Sequence, residues 1–138
     1  MHGALIAREG DGVLLLGPSG AGKSDLALRM LSPPWSWRLV ADDQVLLSRA
    51  GDSVSGTAPA VLAGLLEVRG VGIVPVVHQP SACLRMVVEL VPMAEVPRLP
   101  EPAFTDVLGL PFHTFKLHSF AVSTPEKLEL LLRQVLSA

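Results

Sequence analysis

Residues Gly17-Pro18-Ser19-Gly20-Ala21-Gly22-Lys23-Ser24 fill the pattern G-x-x-x-x-G-K-[ST] completely. Glycines in such a loop let successive backbone N–H groups turn inward on phosphate oxygens, and the positive end of a following helix adds to the attraction. Lys23 then reaches the β- and γ-phosphates, and the Ser24 hydroxyl ligates Mg²⁺. With glycine at about 7% of residues on average, chance supplies this pattern in roughly one chain of this length in a few hundred. Phosphoryl transfer also needs carboxylates, and the first acidic pair beyond the loop is Asp42-Asp43. Adjacent carboxylates repel unless a cation or proton lies between them, which suits Mg²⁺ on one and proton abstraction on the other. A solvated Asp-Asp turn is the alternative. A third group, Leu65-Leu66-Glu67-Val68-Arg69-Gly70-Val71-Gly72-Ile73, puts Glu67 and Arg69 on one face if extended. That pair reads equally as a plain ion pair or as a metal ligand beside a phosphoryl clamp.

The elements that must position these residues are legible in outline. Leu5 to Arg8 and Val13 to Leu16 read as strands, joined by a turn at Glu9-Gly10-Asp11-Gly12 whose glycines supply positive φ. The second strand feeds the loop. Lys23 to Leu31 then reads as a helix with Leu26, Ala27 and Met30 on its apolar stripe, stopped by Ser32-Pro33-Pro34. Arg38 to Ala41 is a strand that ends at the acidic pair, in keeping with α/β sheets whose strand C-termini gather beside the phosphate loop. Gln44 to Ser48 continues extended. Leu65 to Val77 is a β-branched run bent at Gly70 and Gly72. Leu84 to Val91 is a further strand, and Met93 to Pro111 reads as an irregular surface connection. Ser123 or Thr124 caps a last helix that buries Leu128, Leu131, Leu132, Val135 and Leu136.

The 138 residues give room for one α/β domain, 1–138, and the 49% apolar composition gives it a core. No apolar run approaches the roughly 18 residues of a membrane span. Arg8, Glu9 and Asp11 interrupt any leader-like stretch. A net charge of −2 offers no concentrated basic face for nucleic acid. The lone Cys83 reads as a small core residue, and the expected compartment is the cytoplasm. His113 and His118, five apart in an apolar stretch, read as structural.

Taken together, His2-Gly3, the loop, Leu39-Val40-Ala41-Asp42-Asp43 and Leu65 to Ile73 resemble the catalytic domain of HPr kinase/phosphorylase. The last stretch is the most specific, and the likeness is strong over residues 2 to 74. The resemblance implies a P-loop nucleotide-binding domain of the HPr kinase/PEP carboxykinase type, with a mixed sheet and flanking helices. It implies ATP and Mg²⁺, and an acceptor serine on an HPr-like phosphocarrier protein. By position, Lys23 and Ser24 match the phosphate lysine and a metal ligand, and Glu67 matches a second metal ligand. Asp43 matches the carboxylate that takes the serine proton, with Asp42 beside it in support. Arg69 would stabilise the transferring phosphoryl group, His2 matches an active-site histidine, and Arg98 a downstream catalytic arginine. As a solitary side chain, His2 reads equally as a floppy terminal residue, and Arg98 as a solvated loop arginine. The family usually carries an N-terminal domain before the catalytic one, and the resemblance here, starting at His2, implies a short proteobacterial form. No basic, glycine-containing loop precedes the last helix, which favours the kinase direction over phosphorolysis. Long members form hexamers, so a homo-oligomer is expected. A small-molecule kinase and a nucleotide-binding regulatory module without transfer activity are the alternatives.

Overall fold

Two short strands, Ala4–Arg8 (β1) and Asp11–Leu16 (β2), pair antiparallel and are buried on both faces, as their nearly unbroken apolar runs require. The computed structural model describes every residue from Met1 to Ala138. The turn between these strands is only Glu9-Gly10, and the residue with positive φ is Glu9 (55°), not a glycine. Gly12 is inside β2 instead. A Cβ there would come 3.2 Å from Ala82 Cβ and Cys83 O, so the glycine serves a close strand approach.

Four more strands complete the row: Arg38–Ala41 (β3), Ala82–Leu90 (β8), Phe104–Val107 (β9) and Leu110–Leu117 (β10). The order is β3-β1-β2-β8-β10-β9. β2, β8 and β10 are parallel neighbours, and β1 and β9 run against theirs. β3 is antiparallel to β1, so it points the same way as β2 with one opposed strand between them. The sheet is mixed, as expected. The C-termini of β2, β3, β8 and β10 therefore share one edge with the N-terminus of β1.

The two helices, Lys23–Leu31 (α1) and Thr124–Ser137 (α2), cover one face. Leu26, Ala27, Met30, Leu128 and Leu132 meet Ile6, Leu15, Leu39 and Met86 in the larger core. Leu131 and Val135 pack at its margin, whereas Leu136 is 39% exposed. Ser123 occupies the cap position of α2 without a side-chain cap bond, and the Thr124 hydroxyl turns back to donate to His118 O at 2.5 Å. The opposite face carries no helix. A hairpin of Leu46–Ala50 (β4) and Ser53–Thr57 (β5) covers it, with Val45 and Val54 packed on Leu5, Leu14 and Val87. β5 also pairs with the start of β8.

A bulge in β8 serves both cores. Gly12 faces Leu84 but Val13 faces Met86, so Arg85 is the extra residue. Leu84 lies in the hairpin-side core and Met86 in the helix-side core. Arg85 Nε donates to Asp11 Oδ1 at 2.8 Å, and that bond holds the guanidinium above its ordinary pKa. Cys83, next to the bulge, is only half-buried, not a core residue.

Two segments differ from the sequence expectation. Leu65 to Val77 is a separate hairpin, Leu65–Val68 (β6) paired with Gly72–Pro75 (β7), outside the main sheet. Met93 to Pro111 is irregular only to Ala103, after which β9 and the start of β10 form a hairpin. Pro111 is tolerated because β10 pairs with β8 only from His113 onward.

Candidate active site

The phosphate loop crosses from β2 to α1 at the edge where the strand C-termini gather. Gly20 and Gly22 are left-handed (φ 85° and 92°), and Gly22 is the N-cap of α1. A Cβ at Gly22 would come 2.8 Å from Phe120 Cζ and closer still to Ser119 Oγ, so conformation and space both exclude a side chain. Lys23 Nζ donates to the carbonyls of Gly17 at 2.6 Å and Pro18 at 3.2 Å. An ammonium group has three donors, so one remains for a phosphate.

Most of the expected site residues converge, whereas Arg98 and the loop residues Gly17, Pro18 and Ala21 do not line the cleft. Ser19, Gly20, Gly22, Lys23 and Ser24 line a cleft of about 720 Å³ with His2, Asp42, Asp43, Glu67 and Arg69. Asp42 is its hub: Oδ1 accepts from Ser24 Oγ at 2.9 Å, and Oδ2 from the backbone N–H of Glu67 at 3.1 Å. The carboxylate that touches Ser24 is thus Asp42, and Glu67 meets the pair through its main chain. Glu67 and Arg69 are exposed and share no ion pair; Arg69 lies in the turn beyond β6, not on its face. No three His, Cys, Asp or Glu side chains are arranged so that they could hold a metal ion by themselves. Mg²⁺ needs none, since it is commonly held by one or two carboxylates with phosphate oxygens and waters. A serine hydroxyl and a carboxylate at 2.9 Å are hard oxygen donors that fit that ion.

Asp43 projects differently from its neighbour. Gln44 N donates to Asp42 O at 2.8 Å, which closes a three-residue turn on Asp43, and its φ is 69°. Its Oδ1 lies 2.7 Å from His2 Nε2, with 65% of the Asp43 side chain and 56% of the His2 side chain exposed. His2 is not floppy. It bridges Gln44, the Gly3 N–H donates to Asp43 O at 3.0 Å, and Met1 exchanges two backbone bonds with Val45. Arg98 stands furthest from the expectation: it is exposed in the segment before β9 and does not line the cleft.

Two further residues touch the loop that motif reading does not find. Ser119 is buried; its hydroxyl donates to Ala21 O, and its carbonyl accepts from Arg29 Nη2. Arg29 Nε lies 3.2 Å from Asp25 Oδ2 but outside hydrogen-bonding geometry, so that contact is a charge pairing only. Phe120 lines the cleft. Both follow β10, the strand hidden behind Pro111, and no spacing marks them.

Comparison with known proteins agrees with this geometry. HPr kinase/phosphorylase of Cupriavidus metallidurans is 41% identical over 128 residues, covering 85% of this chain and 39% of the relative. That of Burkholderia lata is 44% identical over 122 residues, covering 80% and 37%. The chain thus spans about two-fifths of the length of these relatives. The solved Hpr(Ser) kinase/phosphatase from Coxiella burnetii superposes with a TM-score of 0.83 at 24% identity, over 97% of this chain and 93% of that one, which establishes the common fold. A family model described as HPr Serine kinase C-terminal domain matches residues 1–97, across the loop, the acidic pair and the β6–β7 hairpin. With its sequence, its fold and the placing of its loop in agreement, the chain belongs to the HPr serine kinase C-terminal domain family.

Proposed function

We propose that residues 1–138 act as one catalytic domain that transfers the γ-phosphoryl group of ATP to a serine of an HPr-like phosphocarrier protein. The observation that carries this reading is Asp43: a carboxylate held by His2 at 2.7 Å, beside the phosphate loop, yet 65% exposed. A base for a small, enclosed substrate gains from burial. One that must meet a serine on another protein's surface has to stand at the cleft mouth.

In this reading the loop N–H groups and Lys23 hold the β- and γ-phosphates, and Lys23 neutralises charge as the bond to the leaving oxygen breaks. Ser24 and Asp42 would hold Mg²⁺, with the Glu67 carboxylate as a second metal-binding group. When bound, that ion would supply charge neutralisation for the transferring phosphoryl group. His2 occupies one oxygen of Asp43 and leaves the other to take the serine proton as the hydroxyl attacks. Arg69, at the hairpin turn, stabilises the transferring group. The same carboxylate, once protonated, serves the reverse direction, in which phosphate attacks the phosphoserine phosphorus, the bond to the serine oxygen breaks, Asp43 gives that oxygen its proton, and pyrophosphate is the product. The relatives' names carry both activities. Arg98 has no part in this arrangement. A cytoplasmic homo-oligomer completes the proposal; Leu99 before β9, and Phe104 and Leu108 at its two ends, are exposed and support the oligomer. No helix is long and apolar enough to cross a membrane.

The test is incubation with γ-labelled ATP, Mg²⁺ and the HPr-like protein of the host, followed by mapping of the labelled residue. Label is expected on serine. The Asp43→Asn variant should lose at least about a hundredfold in transfer while its affinity for ATP is unchanged. Undiminished transfer by that variant would remove the base assignment, and labelling of a small molecule alone would remove the protein acceptor.

A further inference from the structure

The geometry points to Phe120 as the platform on which the nucleotide base stacks, an inference that rests on the ATP-binding reading above. The sheet order gives the direction. The loop strand β2 has β3, with Asp42 and Asp43 at its end, two places away on one side; β10 lies two places away on the other. Two strand spacings are about 10 Å. A triphosphate whose terminal group faces Asp43 therefore runs along the loop toward the end of β10, and what hangs from its α-phosphate arrives there. Leu117 pairs with Leu90 just past the level at which Leu16 pairs with Glu89, so residues 118 to 120 stand beside the loop and not below it.

The aromatic ring at that position is presented and fixed. Phe120 is 59% exposed and lines the same cleft as Ser19, Gly22 and Lys23. Its backbone is tied down through Ser119, whose hydroxyl donates to Ala21 O and whose carbonyl accepts from Arg29 on α1. His118 packs edge-to-face with the ring at 73°, centroids 5.8 Å apart, and His118 Nδ1 lies 2.9 Å from Val91 O. The ring is thus anchored to the loop that it overlooks, without being buried in the core. Stacking on a flat hydrocarbon face needs no hydrogen-bond readout and favours larger ring systems, so the platform takes purines better than pyrimidines and discriminates weakly between adenine and guanine.

Stacking is separable from phosphate capture by comparing ATP with inorganic tripolyphosphate, each with Mg²⁺, in equilibrium binding to the full chain. Phe120→Ala should raise the Kd for ATP about tenfold, the middle of the range for loss of one base–aromatic stack, and leave that for tripolyphosphate unchanged. Phe120→Trp should keep ATP affinity and add an indole emission quenched by ATP but not by tripolyphosphate. Equal weakening of both ligands in the alanine variant would overturn the proposal, since the ring would then only prop the loop. Unchanged ATP affinity in that variant would overturn it as well. If the parent chain binds neither ligand, the nucleotide reading itself falls and takes the platform with it; if the parent binds both, only the platform is at stake.

Discussion

Asp43 is the residue at which local backbone chemistry and the proposed function disagree most. A non-glycine residue at φ 69° in a closed three-residue turn bears roughly 1–2 kcal/mol of steric cost, and such positions persist where the surroundings hold them in place. Here the fastening is Gly3 N–H on the Asp43 carbonyl and His2 on its carboxylate. Asp43→Gly and Asp43→Ala both remove the carboxylate and the His2 contact, but only glycine suits the turn. The glycine variant should therefore be more stable than the alanine variant by about 1 kcal/mol, read from urea midpoints at equal m-values. Equal midpoints would show that the turn relaxes when the carboxylate is lost. The sequence made Asp42 and Asp43 visible as a pair and suggested two roles. It could not say which carboxylate would meet Ser24, because that depends on a turn whose handedness no propensity predicts.

At the scale of elements, α2 is tied to the sheet by one carboxylate. Glu129 accepts from Trp37 Nε1 at 2.7 Å and from Arg8 Nη1 at 2.9 Å, and Trp37 is 1% exposed. Glu129→Ala leaves the buried indole N–H without a partner and should cost about 2 kcal/mol. Glu129→Gln keeps an acceptor for the indole, loses only the charge pairing with Arg8, and should cost about half as much. Denaturant melts of the two variants measure the difference. The elements around the loop were legible because they are local: an apolar strand, a glycine turn, and a helix with Leu26, Ala27 and Met30 at helical spacing, all three buried. The β4–β5 hairpin was seen only by half, since Ser53 to Thr57 is polar and small and buries just Val54 and Gly56. β10 was hidden by Pro111, whose place in a strand depends on where the neighbouring ladder ends. Leu65 to Val77 has strand composition throughout, and only pairing reveals that it folds on itself.

Across the whole molecule, the site is assembled from distant parts of one sheet edge: the loop after β2, the acids after β3, the start of β1 and the end of β10. A ligand that touches all of them binds only the folded state. ATP with Mg²⁺ at a hundred times its Kd should add about 2.7 kcal/mol, or a rise of roughly 8 °C in Tm for a chain of this size. Chelating Mg²⁺ should remove most of that shift, because unneutralised phosphates then face Asp42, Asp43 and Glu67. Thermal melts with ATP, with and without chelator, decide this. A shift indifferent to chelation would mean that the carboxylates do not hold the ion. Mixed-sheet character followed from the family resemblance, but the one-sided helices and the hairpin on the opposite face did not, because layer assignment depends on contacts far apart in sequence.

The separate β6–β7 hairpin divides stability from chemistry. Leu66 alone of its residues is fully buried, while Val71 and Ile73 stand 71% and 69% exposed at its tip. The side chains of Val71 and Ile73 therefore add little to the core, whereas Gly70 and Gly72, at φ 87° and 117°, set the turn. Substitution of Val71 or Ile73 can alter the surface that meets a partner without endangering the scaffold, while Arg69 stays bound to its proposed role. Specificity can change at this tip faster than the loop that binds the nucleotide can.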